Sequence, residues 1–256
     1  MSKKVVFLVC LFFATCVLFV STHKVSAQPA SEEGPPGIFH QTGSNTLAPS
    51  GGTGTKEPDG KEKKIRVSPI EDLNGEHGVV DRILQICDEI VKRLEKNVVI
   101  PPEVISKTVE LVRSFVHGHH EKLEDNFLFP RLRQGGKLVD LTRILEQQHK
   151  AGGRLLEEIL TLEKMGNSGE REKMADAFRS FVRMYRPHKA MEDTIILPAF
   201  HQLVPPAEYQ ALGDEFEEQE EKLFGKGAFG KILSQVEAIE VALGIYELAQ
   251  FTPNKF

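Results

Sequence analysis

His119-His120-Glu121-Lys122-Leu123-Glu124-Asp125-Asn126-Phe127-Leu128-Phe129-Pro130 is the stretch that decides how this chain folds. Val109, Val112 and Val116 lead into it at helical spacing, and Leu123 and Phe127 continue the same apolar face. His120 and Glu124 stand four residues apart, so both side chains face one way, a turn apart. The same His-x-x-x-Glu pattern returns at His188 and Glu192. One such pair is common on a solvated helix face. Two pairs on separate helices describe imidazole and carboxylate ligands converging on one metal centre.

Four long helices are predicted around these pairs. Ser68-Pro69-Ile70-Glu71 is a helix start, with Ser as N-cap, Pro at the first helical position and Glu three residues after the cap. Val79, Val80, Ile83, Leu84, Cys87, Ile90, Val91 and Leu94 form the apolar face of that first helix. Residues 97–102 break the pattern. A second helix is predicted over 103–129, ended by Pro130 and Gly135-Gly136, and a third over 138–165. The fourth spans 170–200, where Pro187 should bend it or loosen a turn. Similar lengths and short turns predict an all-α fold, an antiparallel up-down-up-down four-helix bundle over 67–203. Residues 204–256 predict additional C-terminal helices packed on that bundle. The acidic run from Glu217 to Glu221 within them reads as a solvated face.

Counted at about 1.5 Å per residue along antiparallel helices, His77, His120, His149 and His188 fall within roughly 6 Å of one level. The second and fourth helices then run the same way, so Glu124 and Glu192 lie on the same side of that level. A lone helical histidine is usually a surface residue. Four buried at one level without a metal would strand polar groups in an apolar core, at a cost on the order of several kcal/mol. In the second helix, spacing alone leaves the register open. His117 pairs with Glu121 at i,i+4, and His119 also fits the apolar seam. Glu121 and Asp125 are candidates for hydrogen bonds from outside the ligand set.

The stretch 119–130 resembles the second-helix signature of the hemerythrin-like (HHE cation-binding) family: a histidine, an acidic pair four and five residues on, and a Leu-Phe-Pro ending. Glu76-His77-Gly78, Gln148-His149-Lys150 and His188-Lys189-Ala190-Met191-Glu192-Asp193 with Leu197-Pro198 resemble the first, third and fourth motifs. The resemblance selects His120 with Glu124. It implies two iron ions, carboxylate- and oxo- or hydroxo-bridged, held by His77, His120, Glu124, His149, His188 and Glu192, and open to dioxygen or nitric oxide. The oxygen carriers of the family have a further histidine where this chain has Gly153, so the implied set is four histidines and two glutamates. Gly152 and Gly153 are either room for a small ligand or close-packing positions.

Composition fits this reading. Hydrophobic residues make up 40% of the 256 and charged residues 27%, as in ordinary globular proteins. A formal charge of -5 shows no basic footprint for nucleic acid. Lys3 and Lys4, an apolar run over 5–20 and Val25-Ser26-Ala27 read as a signal peptide over 1–27, hence a periplasmic or secreted protein. A membrane is a partner only if that segment stays uncleaved. Residues 28–66, rich in Gly, Pro and charge and holding His40, read as a flexible linker. Cys10 and Cys16 fall in the leader, leaving Cys87 as a small core residue with no disulfide partner. No acid–base constellation stands apart from the ligands. The expected function is therefore binding or sensing a small diatomic ligand, with reduction of peroxide or nitric oxide, and metal storage or a structural metal bundle, as alternatives.

Overall fold

The computed structural model describes residues 67–101, 103–165 and 168–253. The expected signal peptide, the expected linker with His40, and Cys10 and Cys16 lie outside the described residues. Those described are helical and hold no strand, as expected for an all-α protein. Helix α1 (Pro69–Glu95) opens with the capping box anticipated from its sequence. Glu71 N–H donates to Ser68 Oγ at 3.3 Å, and Ser68 N–H donates to Glu71 Oε2 at 3.0 Å. Helix α2 covers residues 104–134, α3 is Val139–Met165, α4 covers 168–203, and α5 (Pro206–Phe224) and α6 (Ala228–Leu243) follow.

Two of these helices are not α-helical throughout. In α2, Val112–His120 and Glu124–Leu128 are π-helical, and in α4 so is Glu192–Ile196. A π turn bonds i to i+5 and is wider than an α turn. Gly118 fits this winding, since a Cβ there would lie 3.1 Å from the Arg113 carbonyl oxygen, five residues back. Pro130 and Pro198 each follow a π segment with one residue between. The bonding is already disturbed there, so the missing proline N–H does not end the helix. Helix α2 accordingly runs on to Gln134, past the expected stop at Pro130. In α4, Ser168–Met191 runs through Pro187 as α-helix, and the loosened turn lies further on, before Pro198.

The apolar side chains form two clusters. One contains Val79, Val80, Val116, Leu156 and Tyr185, and the other Leu73, Leu123, Leu145 and Ile196. Each long helix contributes to both, and each crosses from one to the other at its histidine: His77, His120, His149 and His188. Cys87 is buried in the first cluster, which pushes its thiol pKa up and keeps it inert. Helix α5 crosses the start of α1 so closely that a Cβ on Gly213 would lie 2.5 Å from the Val67 carbonyl oxygen. Its last residue, Phe224, sets its ring 6.5 Å from Phe115 and edge-on to His119 at 5.8 Å. Arg82 of α1 donates to Glu240 of α6 at 3.0 and 2.5 Å, a bidentate pair. No described helix is long and apolar enough to cross a membrane.

Candidate metal centre

Between the two apolar clusters lies a polar layer. His77, His120, Glu124 and Glu192 place one ligand atom each within 4.8 Å of one another, and so do Glu124, His149, His188 and Glu192. All six residues are buried. His77 Nε2 is 3.9 Å from Glu124 Oε1 and 3.6 Å from Glu192 Oε2. His120 Nε2 is 3.8 Å from Glu124 Oε1, and His149 Nε2 is 3.4 Å from Glu124 Oε2. His188 Nε2 is 2.8 Å from Glu192 Oε1 and 3.2 Å from His149 Nε2. The two glutamates are thus common to both groups, and every histidine turns Nε2 inward.

Each outward nitrogen is held by another helix. His77 Nδ1 donates to Asp193 of α4. His120 Nδ1 donates to Glu76 Oε2 of α1 at 2.7 Å. His149 Nδ1 donates to Asp125 Oδ1 of α2 at 3.0 Å, and His188 Nδ1 to Gln148 Oε1 of α3 at 2.8 Å. The four bonds close a ring around the bundle. They also follow a sequence rule: Glu76, Asp125, Gln148 and Asp193 each adjoin a proposed ligand in the chain. Adjacent residues on a helix point about 100° apart. When the ligand points to the centre, its neighbour points toward the next helix. Each such bond keeps a proton on Nδ1 and turns Nε2 inward, where it can bind a cation once deprotonated.

The layer carries more acceptors than ordinary pairing satisfies. Both Glu124 oxygens, Glu192 Oε1 and His77 Nε2 are shielded from solvent without a hydrogen-bond partner of good geometry. Burial opposes the ionised form of Glu124, but His120, His149 and His77 outweigh it and bring its pKa to about 2. Glu192 goes the other way, because burial and then the Glu124 charge disfavour its ionisation. Burial disfavours a charged His120, yet Glu124 and Glu76 carry it to about 9. His149 reaches about 11, held up against burial by Asp125 and Glu124. Without a cation, protons must supply the missing positive charge.

The other expected residues fall outside the layer. His117 Nδ1 donates to Glu121 Oε2 at 2.7 Å, and Tyr185 donates to Glu121 Oε1 at 2.6 Å, so Glu121 holds no inward histidine. His119 turns to Glu76, with Nε2 2.8 Å from Oε1. Asp125 does supply an outer bond. Gly152 is a close-packing position, since a Cβ there would lie 2.1 Å from the Tyr185 hydroxyl, whereas Gly153 has open space. Sequence reasoning gave Glu76, Gln148 and Asp193 no part in orienting the ligands. Their position beside a ligand histidine or glutamate was the available signal.

Residues 68–200 match the family model described as the Hemerythrin HHE cation binding domain. Two uncharacterized proteins, one from Mycobacterium bovis and one from Mycobacterium tuberculosis, are each 35% identical to this chain over 196 residues, covering 75% of it and 77% of the relative. No solved structure matches. With the family model spanning more than half of the chain, over the stretch that builds the layer, this protein belongs to the Hemerythrin HHE cation-binding family.

Proposed function

We propose that this chain is an exported non-haem di-iron protein that binds or senses dioxygen or nitric oxide at a centre made by His77, His120, Glu124, His149, His188 and Glu192. The observation that carries this reading is the sharing of Glu124 and Glu192 by both groups of four, while each group keeps two histidines of its own. Such an arrangement would hold two cations, with Glu124 and Glu192 common to both. The orphaned oxygens of Glu124 and Glu192 and the orphaned His77 nitrogen fit cations. A buried polar atom without a partner costs about 1–3 kcal/mol, and a charged one more. Imidazole with carboxylate suits iron, and also zinc and manganese. Bound iron supplies redox chemistry and exchangeable coordination positions for a small ligand.

The chain's own part is to orient the imidazoles through the ring of Nδ1 bonds and to keep bulk water out with the two apolar clusters. Phe129 stacks on His149 with ring centroids 5.7 Å apart and closes one side. An up-down-up-down course is the topology we infer. In its support, α1 and α3 contribute to the Leu73 cluster before their histidines and to the Val79 cluster after, and α2 and α4 do the reverse. Export rests on Lys3-Lys4, the apolar run and Val25-Ser26-Ala27 alone.

One observation favours a second reading, reduction of peroxide or nitric oxide. Tyr185 donates to Glu121 at 2.6 Å, the carboxylate that His117 also holds, and packs its ring 5.4 Å from that of His188, so a hydrogen-bonded phenol lies beside the centre. The deciding experiment is metal analysis with anaerobic absorption spectra before and after dioxygen or nitric oxide. Two irons per chain and a spectrum that responds to either gas support the first reading. Steady turnover with a reductant supports the second, and an indifferent spectrum points to storage or structure. Far less than two irons after anaerobic reconstitution with ferrous iron sinks the di-iron proposal.

A further inference from the structure

The four outward bonds of the ligand histidines are not alike. Three end on a carboxylate: His77 on Asp193, His120 on Glu76 and His149 on Asp125. The fourth, from His188, ends on the neutral amide of Gln148 at 2.8 Å. Sorted by the two groups of ligand atoms, the difference falls on one side. The group with His77 and His120 has two carboxylates behind it, whereas the group with His149 and His188 has one carboxylate and one amide. Glu124 and Glu192 belong to both groups and do not distinguish them.

The surroundings of the three carboxylates do not remove this difference, because each meets one basic side chain through its other oxygen. Glu76 Oε1 is 2.8 Å from His119 Nε2, Asp193 Oδ2 is 2.7 Å from Lys189 Nζ, and Asp125 Oδ2 is 3.7 Å from Lys122 Nζ. What remains is the amide. A carboxylate that accepts from Nδ1 draws that proton toward itself and makes Nε2 a stronger donor to a cation. An amide oxygen carries no net charge, so its bond is weaker and its pull smaller. His188 is therefore the weakest donor of the four imidazoles, and it belongs to one group only.

We propose that Gln148 makes the centre unequal: the cation at His77 and His120 is held tightly, and the cation at His149 and His188 is the last to load and the first to exchange. The inference rests on the metal-centre reading above, so its test measures the two ions separately. Cobalt(II) is titrated into the metal-free full-length protein in competition with chelators of known affinity, and its absorption bands report each ion. Two neighbouring cations repel each other in any such centre, so the variants decide, not the order of loading. Gln148→Glu should tighten the second ion about tenfold and leave the first unchanged. A gain of this kind is not what damage to the fold produces. Gln148→Ala should weaken the second ion about tenfold. Asp193→Asn probes the other side independently and should weaken the first ion. Native affinity for the second ion in Gln148→Glu, or equal tightening of both ions, overturns the inequality. So does an Asp193→Asn that weakens the second ion and spares the first. If the native protein takes up no cobalt, the reading of the centre fails and the inference falls with it.

Discussion

Asp125 Oδ1 lies 3.0 Å from Nδ1 of His149, while the other nitrogen of that ring lies 3.4 Å from Glu124 Oε2. Adjacent residues of one helix thus act on opposite ends of one imidazole, one orienting it and one facing its inward nitrogen. Outer carboxylates of this kind are worth about 10- to 100-fold in metal affinity. Asp125→Asn should therefore weaken metal binding by about that factor and leave the capacity at saturation unchanged. Competition against a chelator of known affinity measures it. Native affinity in the variant would remove the role given to Asp125.

The second prediction separates the registers of α2. His120→Ala and His188→Ala should each reduce metal content to half or less, because each removes an inward Nε2. His117→Ala should keep the native content, since its ring bonds Glu121 away from the layer. Elemental analysis of the purified variants decides it, and equal loss in His117→Ala puts the centre in the wrong register.

These registers show where sequence reasoning runs out. His77, His149 and His188 have little competition along their helices, so spacing and level bring them out. His120 competes with His117, which has Glu121 four residues on, and with His119, which fits the apolar seam, and the π winding of Val112–His120 is one that a count at 3.6 residues per turn does not follow. The outer partners were obscure for another reason. Glu76 and Gln148 each bond a histidine on a different helix, a pairing that only the packed bundle reveals. The two meanings of Gly152 were likewise separable only once Tyr185 of α4 was placed against it.

Gly152 leads to the third prediction. A Cβ there would meet the Tyr185 hydroxyl at 2.1 Å and its ring carbons at 2.9 Å, and Tyr185 is fixed by its bond to Glu121. Overpacking of this kind costs about 1–3 kcal/mol. Gly152→Ala should lower the melting temperature, and Tyr185→Phe in the same chain should restore part of the loss by removing the hydroxyl. Thermal unfolding followed by circular dichroism reads both. An unchanged melting temperature in Gly152→Ala would contradict the close packing.

The last prediction concerns pH, and the metal-free and metal-loaded proteins should respond in opposite senses. In the metal-free protein His120 and His149 are raised from 6.5 to about 9 and about 11 by the carboxylates around them. A raised histidine pKa adds stability that is fully present below the unfolded value and is lost as pH rises through the folded one. Metal-free protein should therefore lose stability from about pH 6.5 upward, through about 9 for His120. A metal ion needs the inward nitrogens deprotonated, so uptake displaces the protons these imidazoles hold. Apparent affinity should then rise up to about 100-fold per pH unit while two protons are displaced, and about tenfold per unit above pH 9, where only that of His149 remains. Glu124, brought to about 2, is ionised throughout this window and adds nothing to the slope. Melting curves of metal-free protein and chelator competition between pH 6 and 9 test both halves. Metal affinity independent of pH over that window would mean that neither imidazole is protonated in the metal-free layer.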